Sequence, residues 1–369
     1  MQFTIEREKI LKPLQLIAGV VERRQTLPIL ANVLLEVKEN ELLLTGTDLE
    51  VELMGRVMLD QPADSGSITV PARKLMDICR TLPENSTLDI TFDAPKLLIR
   101  SGRSRFSLAT LPANEFPNAE ELPGQLEFDI TQQDLRGLIE RTQFAMAMQD
   151  VRYFLNGMLW EVKDGQLSAV ATDGHRMALS TISIPVSGNS QVIVPRKAIL
   201  ELSRLLVDAS GEVSVTLGSN QLRVKADDYT FTSKLIDGRF PDYTKVIPKG
   251  GDKIVFIEKD ILRQALSRVA ILANEKHRSV RIELRTNLLR VATNNPEQEE
   301  AEEELSLIYQ GGDLDIGFNI GYLLDAVSAL STGTVKLTLA GPDNSVRVEA
   351  GDDDSSGSVV IYVVMPMRL

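Results

Sequence analysis

The 369-residue chain has one cysteine, two histidines and only 5% aromatic residues. The single cysteine, Cys79, cannot form an internal disulfide bond. Two histidines and one cysteine do not supply the ligand cluster of a zinc site. The sequence also lacks a Gly-x-x-x-x-Gly-Lys-Ser/Thr loop, so we do not expect it to hydrolyse nucleotides by itself. We therefore expect neither a metal nor a cofactor.

Long apolar runs are missing as well. No stretch approaches the roughly 18 apolar residues of a membrane span. The segment from Met1 to Lys9 contains no apolar core of signal-peptide length. These features, together with the lone cysteine, predict a cytoplasmic protein without a membrane partner.

The sequence also lacks the protein motifs that recognise specific DNA sequences. We find no zinc-finger or helix-turn-helix pattern, and the few aromatic residues do not form a platform for stacking bases. A nucleic acid bound by this chain would therefore be contacted through its backbone rather than its bases.

What the chain does contain is a threefold repeat. The segment 70–78 (VPARKLMDI) returns at 194–202 (VPRKAILEL) and, in weaker form, at 318–326 (FNIGYLLDA), each time after 124 residues. The alternative is three unrelated α+β domains with a similar alternation of strands and helices, but the fixed spacing favours triplication. We predict three domains, at 1–124, 125–250 and 251–369.

Each repeat has two segments with apolar residues at helical spacing, separated by segments of period two. In the segment 72–82, for example, Leu75, Ile78, Cys79 and Leu82 form one apolar face. The pattern predicts an α+β fold of three tandem similar domains, each with two helices packed on antiparallel sheets.

Charge is distributed unevenly between helices and strands. The net charge is −12, which by itself argues against nucleic acid as a partner. The helical segments, however, hold 19 Lys/Arg against 10 Asp/Glu, and they span 7–24, 72–82, 132–152, 196–206, 259–278 and 320–332. If the helices share one side of the sheets, that side is basic and attracts phosphate. Ordinary solvated helix faces are the alternative, and the last segment contains no Lys or Arg.

The terminal repeats carry opposite charges beside predicted edge strands. Six glutamates lie between 297 and 304, whereas Arg100, Arg103 and Arg105 precede a short apolar segment in the first repeat. Joining the last repeat of one chain to the first of another would pair both edges. Such a head-to-tail contact closes into a ring if the rotation per unit divides a full turn. A solvated acidic loop is the alternative.

Asp173 and His175 resemble an acid-base pair, but no nucleophile elbow surrounds them. Asp173 also occupies the position of Asp48 and Asn294 in the other repeats, which predicts a turn. We therefore expect no enzymatic activity. The chain ends on Val363–Leu369, an apolar segment that is either a buried last strand or part of a groove in which methionines accept several partners.

Several longer segments resemble the bacterial replicative sliding clamp, the β subunit of DNA polymerase III. They are 70–74, 100–108, 172–176, 237–243, 294–303 and 365–369, and the similarity extends from Met1 to Leu369. The family departs from this sequence at Met177, Lys245 and His277. The segment from Asp352 to Ser358 is similar to an extended hairpin loop.

The resemblance implies a head-to-tail homodimer whose six domains form a ring, with helices inside and sheets outside. Duplex DNA threads the hole and the ring tethers the polymerase to its template. The implied partners are DNA polymerase subunits, a clamp loader, repair polymerases, mismatch-repair proteins and ligase, which dock short peptides in an apolar groove.

The resemblance also implies three sets of site residues. The partner-binding groove would comprise Leu155, Thr172, Gly174, His175, Arg176, Met177, Pro241, Val246, Asn319, Tyr322, Ser345, Val363, Val364, Met365, Pro366, Met367 and Arg368. The residues facing DNA would include Arg24, Arg73, Gln149, Tyr153, Arg196, Lys197 and Arg278. The dimer contact would join Lys74, Ile78, Leu82, Arg103, Arg105, Phe106 and Leu108 to Ile271, Leu272, Glu297, Glu299, Glu300 and Glu303.

Two other hypotheses remain at this point. One is an enzyme that uses Asp173 and His175, and the other is a repeat scaffold that binds only proteins.

Overall fold

The computed structural model describes residues 1–21, 27–117, 124–207, 210–352 and 357–368. Arg24, predicted to face DNA, and residues 353–356 of the predicted hairpin loop lie outside these ranges. Within the described residues the chain forms six α-helices, two for each repeat. They are α1 (Arg7–Val20), α2 (Ala72–Thr81), α3 (Gln132–Glu140), α4 (Arg196–Leu205), α5 (Lys259–Val269) and α6 (Ile320–Ala329).

The chain divides into two compact units that do not coincide with the repeats. One unit contains residues 1–135 and 197–235, and the other contains 136–196 and 236–369. The second repeat is therefore shared between the units, and the chain passes from one to the other within α3, at the start of α4 and after Leu235.

The first unit holds two antiparallel sheets. Its four-stranded sheet has the order β1 (Gln2–Glu6), β6 (Thr87–Asp93), β7 (Lys96–Ser101) and β8 (Ser104–Ala109). Its eight-stranded sheet has the order β5 (Gly66–Pro71), β2 (Asn32–Lys38), β3 (Glu41–Thr47), β4 (Val51–Met58), β16 (Tyr229–Lys234), β15 (Gln221–Ala226), β14 (Glu212–Leu217) and β9 (Leu126–Thr131).

The second unit repeats this arrangement. Its eight-stranded sheet has the order β13 (Ser190–Pro195), β10 (Gly157–Lys163), β11 (Gln166–Thr172), β12 (Arg176–Ser183), β24 (Val359–Val364), β23 (Val346–Ala350), β22 (Thr334–Leu339) and β17 (Lys253–Glu258). Its four-stranded sheet has the order β20 (Glu300–Ser306), β19 (Leu288–Asn294), β18 (Ser279–Arg285) and β21 (Leu314–Asn319).

Each eight-stranded sheet contains a seam where two repeats meet. At the first seam β4 pairs with β16, and Leu53 lies opposite Phe231. At the second seam β12 pairs with β24, and Ala178 lies opposite Tyr362. Successive repeats are thus joined by continuous backbone hydrogen bonding.

Helices of the first and third repeats pack against strands of the sheets. In the first repeat α1 and α2 pack against each other, and α1 lies on β3 and β4. Gly46 on β3 allows this approach, because a Cβ there would overlap the Ile17 side chain of α1. The observed architecture confirms the predicted α+β fold with two helices per repeat and antiparallel sheets.

Candidate functional site

The turn between β11 and β12 is built around Asp173. Its carboxylate accepts backbone hydrogen bonds from His175 at 2.9 Å and Arg176 at 3.0 Å. The Thr172 hydroxyl donates to the Arg176 carbonyl at 2.7 Å. Gly174 has φ +88°, and a Cβ at this position would collide with a neighbouring guanidinium. Glycine adopts this left-handed conformation without steric cost, and the hydrogen bonds of the turn fix the residues around it.

The first repeat contains the same turn. Asp48 accepts from the backbone of Glu50 at 2.9 Å and Val51 at 2.7 Å, and the Thr47 hydroxyl donates to the Val51 carbonyl at 2.9 Å. The repeat thus predicted the role of Asp173 in a turn correctly, since the equivalent carboxylate of Asp48 accepts the same backbone hydrogen bonds in the first repeat.

Arg176 connects this turn to the third repeat. Its guanidinium donates to Asp173 at 3.0 Å, to Asp325 of α6 at 2.5 Å and to the Phe144 carbonyl at 2.7 Å. Its Cζ also lies 4.4 Å from the centre of the Tyr322 ring and 5.3 Å from that of Phe144. A largely buried cation is therefore held by acceptors and by two aromatic faces.

The start of α6 places Tyr322 beside this cation. Asn319 caps the helix, because its side-chain oxygen accepts from the backbone of Gly321 at 2.9 Å and Tyr322 at 3.3 Å. Burial is the main cause that raises the pKa of Tyr322, and the nearby Asp173 carboxylate raises it further. The phenol therefore stays neutral at physiological pH.

An apolar floor lies next to the turn. Leu155, Met177 and Val363, three of the predicted groove residues, are buried in one cluster with Phe240, and Val246 packs against it. A concave, mainly apolar surface with a few fixed polar groups is the usual form of a ligand or peptide site.

The C-terminal segment passes beside the turn. Val363 and Val364 are buried in β24, whereas Met365 is 37% exposed. The backbone N–H of Met365 donates to the carbonyl of His175 at 2.9 Å, and that of Met367 donates to Gly317 at 2.8 Å. The segment is therefore both a buried last strand and, from Met365 onward, a surface beside the turn.

The strap, residues 240–247, forms another side of the floor. Phe240, its first residue, is buried in the floor, and Pro241 and Val246 follow within the strap. The Tyr243 hydroxyl donates to the Glu161 carboxylate of β10 at 2.5 Å. Burial, followed by this hydrogen bond to a carboxylate, raises the pKa of Tyr243. The hydrogen bond thus fixes the strap to the sheet.

The structure brings most of the predicted groove residues together. Ser345 directly precedes Val346, which pairs with Val364. Pro366 and Arg368 flank Met367 at the surface. The peptide contacts of these three residues, and of Pro241, stay predictions.

Some residues of the site were missed from sequence. They are Phe144, Tyr243 and Asp325, which support Arg176 and the strap from outside the predicted groove. For Asp325 a signal existed, because it is the acid that recurs in every repeat, whereas α6 lacks a basic residue to pair with it.

The predicted DNA-facing cations differ in their surroundings. The guanidinium of Arg73 donates to the carbonyl of Val21 at 3.3 Å, beside the end of α1. Arg196 donates to the Met146 carbonyl at 3.3 Å. Both cations are half-buried and held by backbone acceptors, so part of each is engaged within the chain.

Lys197 Nζ lies 2.5 Å from the Asp48 carboxylate, so this predicted DNA-facing charge is also partly neutralised. Gln149, Tyr153 and Arg278 are exposed, with Tyr153 57% accessible. Their contacts with DNA stay predictions.

The two predicted dimer edges are open strands. Among the described residues, β8 pairs only with β7 and β20 only with β19. Arg103 and Arg105 are exposed on the first edge. Beside the second edge, Ile271 is 76% exposed, which is unusual for a large apolar side chain.

The other residues of the predicted dimer contact differ in accessibility. Leu82 and Leu108 are buried within the chain, while Ile78, Phe106 and Leu272 are half-buried. Glu297, Glu299, Glu300 and Lys74 are exposed.

Glu303 already forms an ion pair with Arg268 of α5 at 2.5 Å. The hydrogen bond from this arginine lowers the pKa of the Glu303 carboxyl. Arg290 pairs with Glu302 in the same way and lowers its pKa. These internal arginines therefore fix the direction of both carboxylates at the edge.

In the described ranges, no cluster of three His, Cys, Asp or Glu residues could hold a metal ion. No helix in the described part of the chain has the length and apolar character needed to cross a membrane.

Comparison with known proteins agrees with this geometry. The sequence matches three family domains of the DNA polymerase III beta subunit, the N-terminal one at residues 1–120, the central one at 129–242 and the C-terminal one at 244–368. It is 59% identical to the beta sliding clamp of Pseudomonas putida and 50% identical to that of Escherichia coli, over the whole of each chain.

Solved structures show the same likeness. A crystal structure of the DNA polymerase III subunit beta from Pseudomonas aeruginosa has a TM-score of 0.96 and 57% identity, with both chains covered completely. Another structure of the clamp from that organism, with a TM-score of 0.96, 58% identity and complete coverage of both chains, is bound to griselimycin. The chain, with its three tandem clamp domains, belongs to the bacterial DNA polymerase III β subunit family, the β sliding clamps.

Proposed function

We propose that this chain closes into a head-to-tail ring dimer around duplex DNA in the cytoplasm, slides along it, and tethers the replicative polymerase through the partner-binding groove. Members of the family are processivity factors rather than enzymes. The observation that carries the proposal is the pair of open, oppositely charged edge strands at β8 and β20.

The two internal seams supply a register for the contact between chains. Phe106, Phe231 and Tyr362 are equivalent, because they lie opposite the buried β-branched residues Ile99, Val224 and Val348 of the preceding strands. Two of these aromatic residues form seams within the chain, and Phe106 is the third member.

The other side of each seam has an equivalent residue too. Leu53, Ala178 and Ala301 each follow the cross-strand pair that closes their hairpin. At the seams within the chain, Leu53 faces Phe231 and Ala178 faces Tyr362. We therefore place Ala301 of one chain opposite Phe106 of the next.

This register brings opposite charges together. In an antiparallel pair it places Glu302 opposite Arg105 and Glu304 opposite Arg103. Each cross-strand pair of opposite charge contributes roughly 0.2–1 kcal/mol, so the charges select the register more than they provide affinity. Burial of Ile271, with Leu272 beside it, supplies the apolar part of the proposed contact.

The DNA contact would be weak at each position. The helices carry the excess of positive charge, while the rest of the chain is strongly acidic. Cations that approach the phosphates through water and mobile side chains are screened by salt, and they leave the ring free to slide. Retention then depends on ring closure rather than on affinity for DNA.

The groove would bind short apolar peptides of several partners. Its floor of Leu155, Met177 and Val363 accepts apolar side chains, and exposed Met365 can adapt to different shapes. We propose polymerase subunits, the clamp loader, repair polymerases, mismatch-repair proteins and ligase as the occupants. Griselimycin, which the Pseudomonas aeruginosa relative binds, should occupy the same groove here.

Retention on circular DNA tests the proposal. The protein, loaded onto a nicked circular duplex by its loader, should remain bound for many minutes and dissociate once the circle is cut. A variant that cannot dimerise should leave both templates equally fast. Equal lifetimes of the wild-type protein on circular and cut DNA would refute encirclement, and the scaffold that binds only proteins would then be favoured.

A further inference from the structure

One acidic residue recurs in the second helix of every repeat, but its partner changes. Asp77 pairs with Arg80 at 2.8 Å, and Glu201 pairs with Arg204 at 2.7 Å. Both are contacts between residues three apart on one helix, a common pairing of an acid with a base on a helix surface.

Asp325 is the equivalent acid of α6, and it has no such neighbour. Three residues further on is Ser328, and α6 contains neither lysine nor arginine. Its carboxylate instead reaches Arg176, on the other side of the second seam, at 2.5 Å. The acid of the third repeat thus pairs with a residue of the predicted groove rather than with a residue of its own helix.

Arg176 connects the parts of the groove to one another. It lies next to Met177 of the floor and closes the turn that holds His175, whose carbonyl accepts from Met365. Its guanidinium also lies against the Tyr322 ring. A displacement of this guanidinium would therefore change several surfaces that a peptide touches.

We propose that Asp325 is a positioning residue of the partner-binding groove, which fixes Arg176 and, through it, the Tyr322 ring in the arrangement that binds peptides. The inference rests on the proposed function of the groove. Asp325 itself lies outside the predicted peptide contacts and is half-exposed, whereas the Arg176 side chain is only 13% exposed.

The difference in burial explains why the effect should be specific. Loss of the carboxylate charge weakens the hydrogen bond that holds a largely buried guanidinium, so the guanidinium turns toward Asp173 or toward water. The fold keeps its β12–β24 hydrogen bonds and apolar floor, so the groove changes shape while the protein stays folded.

Calorimetric titration of the full-length dimer with griselimycin tests the proposal. We expect Asp325→Asn to weaken binding about tenfold, the effect of losing one charge-assisted hydrogen bond. Asp325→Glu should restore most of the affinity, because it keeps the charge. Asp77→Asn is the matched control, since it removes an equivalent acid of similar exposure that belongs to the other compact unit, and it should bind as the wild type does.

A spectroscopic measurement separates positioning from general destabilisation. In protein labelled with 3-fluorotyrosine, the ¹⁹F resonance of Tyr322, assigned with Tyr322→Phe, should shift in Asp325→Asn and return in Asp325→Glu. The melting temperatures of all three proteins should agree within a few degrees.

Equal affinity and an unshifted Tyr322 resonance in Asp325→Asn would overturn the inference alone. Failure of the wild-type protein to bind griselimycin would instead refute the proposed function of the groove, and this inference with it.

Discussion

Phe231 and Tyr362 occupy the same position at two successive seams, each facing the residue that follows a hairpin-closing pair on the neighbouring repeat. The seams therefore share one register although their side chains differ. A third seam built in this way would need the open strands β8 and β20 of two different chains.

The register at that third seam can be measured by cysteine cross-linking. The variant Arg105→Cys with Glu302→Cys should form disulfides between chains under mild oxidation, because residues directly opposite have Cα atoms about 4.5–5.5 Å apart. The native thiol should not interfere, since Cys79 is buried and burial raises its pKa to about 12. Denaturing electrophoresis measures the product.

The matched control is Ser104→Cys with Glu302→Cys. A shift of one residue points the second thiol to the opposite face, so little product should form. Products that stop at two chains would indicate a closed ring, and a ladder of longer products would contradict it. Efficient linking in the control but not in the test variant would show that the register is wrong.

Truncation of the apolar contact should produce monomers. We expect Ile271→Ala with Leu272→Ala to shift the sedimenting species from dimer to monomer, since exposed charge pairs alone contribute too little to hold two chains. The melting temperature reports the cost of truncating half-buried Leu272 within the chain. If the double variant sedimented as the wild type does, the interface would have to lie elsewhere.

Removal of residues 365–369 should separate assembly from partner binding. The deletion takes away Met365 and Met367, whose backbone donates to His175 and Gly317, but leaves β8 and β20 intact. Stimulation of polymerase should fall to the level without clamp, while light scattering still gives the dimer mass. Full stimulation by the shortened protein would argue against the groove.

The sequence predicted the repeat, the fold class and the turn at Asp173, because all three are encoded in local pattern and fixed spacing. The recurring acid marked Asp325 as unusual, but its pairing with Arg176 was missed, as was that of Phe144, because these residues are 149 and 32 positions away along the chain. Nor did the repeat reveal the division into units, because a seam of hydrogen bonds between repeats leaves no periodic signal. The internal partners of Lys197 and Arg73 were also missed, because they too lie far away along the chain.

The hydrogen bond that fixes the strap should contribute to the groove. Tyr243→Phe removes the donor to Glu161 and should lower the free energy of unfolding by about 1 kcal/mol, because the site is half-exposed. Affinity for griselimycin should fall a few-fold as Pro241 and Val246 loosen. Tyr309→Phe, which loses a bond to the Gly312 carbonyl, is the control and should leave binding unchanged. Undiminished affinity in Tyr243→Phe would mean that the strap is held by apolar packing alone.

Glu52 should make stability depend on pH. Burial raises its pKa above 4.5, although nearby Arg223 opposes the shift. The folded state therefore holds this proton more tightly than the unfolded state, so the associated stability is fully present below pH 4.5 and is lost as the pH rises through the folded pKa.

Glu52→Gln, which mimics the protonated form, should consequently melt at a higher temperature than the wild type at pH 7, and the difference should shrink toward pH 4.5. Glu50→Gln, on the exposed turn beside it, controls for the loss of a negative charge. A pH-independent difference between wild type and Glu52→Gln would rule out the proposed titration.

The division of the second repeat between the two units limits how the gene can be edited. Deletion of the first or the last repeat would leave an edge strand without the partner strand that it now has in the same chain. A shortened chain could recover that neighbour only from an additional subunit, so repeats per chain and chains per assembly are exchangeable quantities. Lineages could thus change subunit number by fusing or splitting genes without altering the geometry of a single seam.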